Sequence, residues 1–240
     1  MNDGSHAGLS EDAARDSKAR ALKGIVKTAA PSLAISILLF ASAGRLDWTM
    51  AWVYAGLSLI AVVAVALAAG PSLLAERSGV GQGAQALDVI MAIIMAWLGP
   101  VAIALVAGFD FRYGWQPEVS PRVQVAGVLA AVLGYAVVLW AMASNRFFSG
   151  VVRIQIERGH TVVSHGPYAL VRHPGYVGVI LAALGAPLML GSVWALIPAV
   201  ATVGVIAVRT AHEDRTLTRD LAGYEAYARR VRYRLLPGIW

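Results

Sequence analysis

An all-α integral membrane protein with about six transmembrane helices is the fold class this sequence predicts, on three observations. The 240-residue chain is 58% hydrophobic and only 14% charged, with a mean hydropathy of +0.64, outside the usual composition of a soluble domain. Its charges fall into short polar segments separated by long uncharged ones. Lysine and arginine are distributed unequally between alternate segments.

The elements follow in order. Residues 28–44, 48–75, 89–109 and 123–145 carry no charge. A hydrocarbon core about 30 Å thick takes about 20 helical residues, so each interval supplies one crossing. Residues 175–208 are also uncharged, too long for one crossing and short for two. Gly191-Ser192 near the middle, with Gly185 and Pro187 just before, predicts a tight helical hairpin. Residues 1–27 form a polar tail in which Ser10, Glu11 and Asp12 open a short surface helix running to Lys23. No apolar core follows a basic start there, which argues against a cleaved signal peptide.

With six crossings, seventeen of the twenty Lys and Arg residues lie on the side shared by both termini and three (Arg45, Arg112, Arg122) on the other. That bias places both termini in the cytoplasm, and Trp48, Trp52, Tyr113 and Trp115 mark the outer interface. The net charge of +6 therefore reads as anchoring beside anionic lipid. No continuous basic face suggests nucleic-acid binding. The absence of cysteine excludes disulfides, thiolate metal sites and a cysteine nucleophile.

Three regions result: the tail (1–27), a four-helix transmembrane scaffold (28–144) and a catalytic region (145–240). The scaffold is rich in Ala, Val, Leu and Gly, which suits close helix packing in lipid. Asn145, Arg146, Phe147 and Phe148 end the fourth helix, and 151–163 form a polar connector turning at Gly159. A turn begins at Gly166-Pro167, and 168–172 form one helical turn. His173, preceding proline, is expected outside the α region, and Pro174 opens the fifth helix. Residues 213–227 read as an amphipathic surface helix with Leu217, Leu221 and Tyr224 on one face.

Polar chemistry concentrates in 153–178 (RIQIERGHTVVSHGPYALVRHPGYVG) and 209–214 (RTAHED). In the first, proline and glycine fix the backbone while leaving N–H groups for a ligand, beyond what a rigid interfacial turn needs. In the second, Arg209 and Glu213 share a helix face. They are either an ordinary i,i+4 pair or a site, because arginine at membrane depth faces a cavity or a partner. The glycines at 79, 81 and 83 follow no strand and make a connector, not a nucleotide loop. The five histidines lack metal-site spacing, so no metal is expected, and no Gly-x-Ser-x-Gly elbow exists.

The run from His160 to Val163, Gly166-Pro167-Tyr168, Arg172 to Tyr176, Gly178, then Arg209, Glu213, Asp214, Leu217, Gly223-Tyr224, Tyr227 and 232–237 resembles the isoprenylcysteine carboxyl methyltransferase family, within a group that includes phospholipid methyltransferases. The resemblance implies S-adenosyl-L-methionine as cofactor. It places Gln155, His160, Thr161, Val162, Val163, Tyr168, His173, Pro174, Gly175, Tyr176 and Glu213 around it. Arg209 would bind the methyl acceptor, holding its carboxylate bidentately, and with Glu213 form the catalytic pair. The implied partners are membrane lipid and a lipophilic small-molecule or lipid-modified acceptor, with no nucleic acid. Arginine outnumbers lysine seventeen to three, the usage of a GC-rich bacterial chain, which points to a bacterial inner membrane and away from prenylated proteins. Two other readings stand beside this one: an NADPH-dependent membrane reductase with a similar Arg-His-Pro turn, and a non-enzymatic membrane scaffold.

Overall fold

Proline and glycine punctuate the helices of this chain much as their local chemistry demands. A computed structural model describes residues 29–77, 86–115 and 118–240, with side chains 66–77 left out. The tail helix and the 79–83 connector lie outside the described residues. The helices are α1 (Ala29–Ala43), α2 (Thr49–Arg77), α3 (Ala86–Tyr113), α4 (Pro121–Ser144), α5 (Pro174–Leu190), α6 (Leu196–Asp220) and α7 (Tyr224–Arg230). No strand occurs among the described residues. Helices α3, α4 and α6 are long and apolar enough to cross a membrane, while α1 and α5 are shorter apolar helices. The protein is an all-α integral membrane protein.

Helix α3 is wound as a π turn over Ile94–Leu98, where the Gly99 N–H reaches the Ile94 carbonyl. The cause is Pro100, which has no N–H to offer the Ala96 carbonyl and whose ring crowds it. Gly99 serves a second purpose: a Cβ there would lie 2.4 Å from Thr202 Oγ1 of α6.

Helices α4 and α5 cross on small residues. A Cβ at Gly134 would fall 2.5 Å from the Gly178 carbonyl, and one at Gly178 would fall 2.4 Å from the Gly134 carbonyl. Without a hydrophobic driving force between helices in lipid, such backbone proximity is how they gain packing. The fifth apolar interval is the expected hairpin. Gly191 ends α5 at φ 73° and donates to the Leu188 and Pro187 carbonyls, and the Ser192 hydroxyl caps the next turn at the Ala195 N–H, 3.2 Å. At 17 residues, α5 is about 25 Å long, slightly short of a full crossing.

The aromatic belt gathers at the ends of α1 and α3 and the start of α2, the side of the bundle that holds the α5–α6 turn. Trp48 stacks on Phe111 at 4.1 Å, and Phe40 meets Trp52 at 4.6 Å. One expectation is corrected. The amphipathic 213–227 segment is not one helix: α6 continues unbroken to Asp220, and the chain breaks before α7 at Gly223, φ 84°. Its apolar face is nevertheless as read, because Leu217, Leu221 and Tyr224 pack together with Tyr227 and Val231.

Candidate functional site

At the end of the bundle opposite the aromatic belt, four helix ends converge: the starts of α3 and α5, the end of α4, and the polar half of α6. The α4–α5 connector and α7 close over them. They enclose a cavity of about 310 Å³, at the low end of ligand-pocket sizes.

The start of α5 is held from outside. The Arg172 and His173 N–H groups donate to the Tyr233 and Arg234 carbonyls at 2.9 and 3.0 Å. His173 sits at φ −126°, ψ 62°, out of the α region as a residue before proline should be. The Arg172 guanidinium grips buried Asp214 through Nε and Nη2 at 2.8 and 3.0 Å. Its Nη1 donates to the Val231 and Arg232 carbonyls. Asp214 also accepts from Arg234 Nε at 2.8 Å and Tyr224 OH at 2.9 Å, with His173 Nε2 at 3.3 Å. This carboxylate ties α5, α6, α7 and the C-terminal segment together.

One residue earlier on α6, about 100° round the helix, Glu213 faces the other way and lines the cavity with a side chain 25% exposed. It accepts a 2.5 Å hydrogen bond from Tyr176 OH and lies 3.9 Å from His173 Nδ1. The adjacent acids of the sequence thus separate into a structural one and one available to a ligand.

Arg209 does not form the i,i+4 pair with Glu213. Its partner is Asp88 at the start of α3: Nε to Oδ1 at 2.8 Å and Nη2 to Oδ2 at 3.2 Å, with Nη2 also donating to the Gly150 carbonyl at 2.6 Å. Asp88, fully buried, further accepts the Val152 N–H at 2.7 Å. The guanidinium lies 5.7 Å from the centre of the Tyr176 ring. Nη1 alone is left without an oxygen partner among the described residues, so no whole free fork faces the cavity. A carboxylate bound bidentately at Nε and Nη2, the geometry expected from the resemblance, is already present as Asp88.

In the connector, Ile156–Arg158 make one 3₁₀ turn ended by Gly159 at φ 61°. Gln155 was expected at the cofactor; instead it is 0% exposed and stands behind the wall. Its amide donates to the Phe147 carbonyl at 2.7 Å, its carbonyl accepts from Arg158, and its N–H meets His160 Nδ1 at 3.3 Å. Pro174 is likewise fully buried and outside the lining. Its part is to start α5. The remaining expected residues, His160 to Val163, Tyr168, His173, Gly175, Tyr176, Arg209 and Glu213, all line the cavity.

Accepting from the Gln155 N–H leaves the His160 proton on Nε2. Burial, then the Arg158 and Arg153 charges, hold its imidazole below the ordinary histidine range. Its ring packs on Phe147 at 4.5 Å. The N–H groups of Thr161, Val162 and Val163 have no partner among the described residues, so this cavity-lining segment keeps open donors. Tyr168 receives the Asn145 amide at its hydroxyl, 3.2 Å, and offers its carbonyl to Tyr227 OH at 2.7 Å. Burial raises the Tyr168 phenol and pushes that of Tyr227 up to about 12, so both remain protonated donors.

Asp88, Asn145, Phe147, Tyr224 and Tyr227 were not among the expected site residues. Asp88 had a legible signal: a lone acid at the end of an uncharged interval calls for a cation, although its partner lies 121 residues away.

Fold and site define an integral membrane α-helical protein with a ligand-sized cavity of mixed polar and apolar lining at one end of the bundle. Residues 126–219 match the model of the isoprenylcysteine carboxyl methyltransferase family, a stretch running from α4 through the site-bearing part of α6, and this bears out the resemblance read from the sequence. Over 69 residues the chain is 36% identical to a probable protein-S-isoprenylcysteine O-methyltransferase of Oryza sativa subsp. indica, covering 28% of this chain and 36% of that one. Over 92 residues it is 30% identical to protein-S-isoprenylcysteine O-methyltransferase B of Arabidopsis thaliana, covering 38% and 47%. Against protein-S-isoprenylcysteine O-methyltransferase of Schizosaccharomyces pombe it is 41% identical over 49 residues, covering 20% and 21%. The chain matches less than half the length of each of these relatives.

Proposed function

We propose that this protein is an S-adenosylmethionine-dependent methyltransferase acting on a lipophilic, carboxylate-bearing acceptor at the cytoplasmic face of a bacterial inner membrane. The observation that carries this reading is Glu213. It is a cavity-lining carboxylate that accepts from the Tyr176 phenol, while the forks of Arg209 and Arg172 grip Asp88 and Asp214 instead. A carboxylate in that state, between the tyrosines at 168 and 176, favours a cationic ligand. Aromatic faces add about 0.5–2 kcal/mol toward a cation. The donor set fits the cofactor: open N–H groups at 161–163 for a base or an amino-acid tail, and Glu213 for an ammonium or a ribose diol. When bound, the cofactor supplies an electrophilic methyl group on a sulfonium.

This chain's residues then bind and orient. Glu213 and the tyrosines stabilise positive charge, and the walls of Met95, Ala96, Val138 and Val179 offer apolar surface to an acceptor tail arriving from the bilayer. Ala92 extends the same wall. Holding both reactants in line is what such a site contributes to rate. An ionised carboxylate needs no general base. The NADPH reading fares worse, because a pyrophosphate calls for cations at hand, whereas Arg172 and Arg209 of this lining are engaged by Asp214 and Asp88.

The test is calorimetric titration of detergent-purified protein with S-adenosylhomocysteine and, separately, NADPH, alongside Glu213→Ala. Micromolar binding of the first, lost in the variant, is expected. NADPH binding instead would move the protein to the reductases, and binding of neither by folded protein would leave the scaffold reading.

A further inference from the structure

Asp88 is fully buried and Arg209 nearly so, and between them they use nearly every polar atom they have. Asp88 takes Nε, Nη2 and the Val152 N–H, while Nη2 also holds the Gly150 carbonyl. What remains of Arg209 is Nη1, whose partner among the described residues is the Met95 thioether at 3.8 Å, a soft and weak acceptor. Both Arg209 and Met95 line the cavity. Met95 belongs to the π turn that Pro100 imposes on α3, so the wall opposite Nη1 is set by backbone strain relief as well as by side chains.

We infer that Asp88 is a positioning residue that fixes how Arg209 meets the methyl acceptor. It occupies the two-pronged edge of the guanidinium, so an acceptor carboxylate is held through one oxygen at Nη1 while its other oxygen stays free to face the methyl group. This rests on the methyl-transfer reading above. The geometry has a chemical advantage. A two-pronged clamp would engage a lone pair on each oxygen, whereas a single contact leaves one oxygen fully nucleophilic. That oxygen supplies the electron pair of the new O–C bond, the C–S bond breaks onto sulfur, and a neutral ester and a neutral thioether result with no proton released. Asp88 also neutralises Arg209, so the acceptor's charge is not over-stabilised in the ground state. By receiving the Val152 N–H it keeps the connector's start in register with the same guanidinium.

The experiment compares wild type, Asp88→Asn and Asp88→Glu, using N-acetyl-S-farnesylcysteine as acceptor probe and S-adenosylhomocysteine binding as a separate readout. The expected result for Asp88→Asn is an acceptor KM raised by about tenfold or more with product affinity nearly unchanged, and partial recovery in Asp88→Glu. An unchanged or lowered KM in a variant that still binds product would overturn the inference, as would loss of product binding in both variants. If Asp88→Asn does not fold, Asp88→Glu decides alone, since its longer arm keeps the ion pair but displaces the guanidinium. A wild type that binds product yet leaves this probe unmethylated overturns the carboxylate acceptor and the single-edge contact with it. One that fails to bind product overturns the methyltransferase reading itself.

Discussion

Tyr176 on α5 and Glu213 on α6 are joined by a 2.5 Å hydrogen bond from phenol to carboxylate. The same phenol ring carries the Arg209 guanidinium 5.7 Å from its centre. One residue therefore touches the cavity's carboxylate through its hydroxyl and the Asp88-paired arginine through its ring.

Tyr176→Leu tests the ring. If its face stabilises a sulfonium, affinity for S-adenosylmethionine falls by about 2- to 30-fold, the equivalent of about 0.5–2 kcal/mol. Affinity for the uncharged thioether product falls much less. Equal losses for both ligands, read by calorimetry, would assign the ring to packing alone. Tyr176→Phe, which keeps the ring and frees Glu213, should spare most of the sulfonium preference.

Asp214→Asn tests the structural acid. Its carboxylate is the meeting point of Arg172, Arg234, Tyr224 and His173. Removing its charge strands a buried arginine, a change that typically costs about 3–5 kcal/mol. Thermal unfolding in detergent should drop by several degrees or more, whereas Glu213→Gln should leave the transition near wild type while abolishing product binding. The reverse pattern would exchange the roles assigned to these two neighbours.

His160 predicts a pH dependence. Its folded-state affinity for protons is depressed by burial and by Arg158 and Arg153, while in the unfolded chain it titrates near about 6.5. Between those values the unfolded state binds more protons, so stability rises with pH there. The contribution is complete above about 6.5 and is lost as pH falls through that value toward the lower folded one. Wild type should therefore lose thermal stability on acidification relative to His160→Gln. Parallel profiles for the two proteins would remove His160 as the cause.

Gly178→Ala tests the α4–α5 crossing. The added Cβ would sit 2.4 Å from the Gly134 carbonyl, which is backbone and can yield only by moving a helix. Overpacking of this kind costs about 1–3 kcal/mol. Because α5 carries His173 and Tyr176, product affinity should weaken along with thermal stability. A variant with unchanged stability would show that the helices separate at no cost.

Local physics made much of this legible from residues alone. Uncharged intervals gave the helices, Gly191-Ser192 gave the hairpin, His173-Pro174 gave the start of α5, and the resemblance gathered about half of the cavity lining. The departures share a cause. Gln155 is placed at the cofactor by the resemblance, but its side-chain amide is engaged by Phe147 and Arg158 behind the cavity wall. The 213–227 helix looked continuous because Leu217, Leu221 and Tyr224 keep helical spacing across Gly223, and a spacing does not register a break when both halves pack on the same core.

By itself the sequence determined the class, the order of the apolar helices and much of the polar stretch that lines the cavity, because hydropathy, charge placement and proline or glycine conformation act within a turn or two of chain. Only the tertiary structure decided what each polar group does. Glu213 and Asp214 are neighbours with opposite duties because the helix turns about 100° per residue, and one side meets a cavity while the other meets two arginines. Arg209 looks four residues ahead for a partner in the sequence and finds Asp88 from another helix in space. Burial makes an unpaired charge so costly that such pairings are settled by whichever groups the fold brings together, and no local pattern records that.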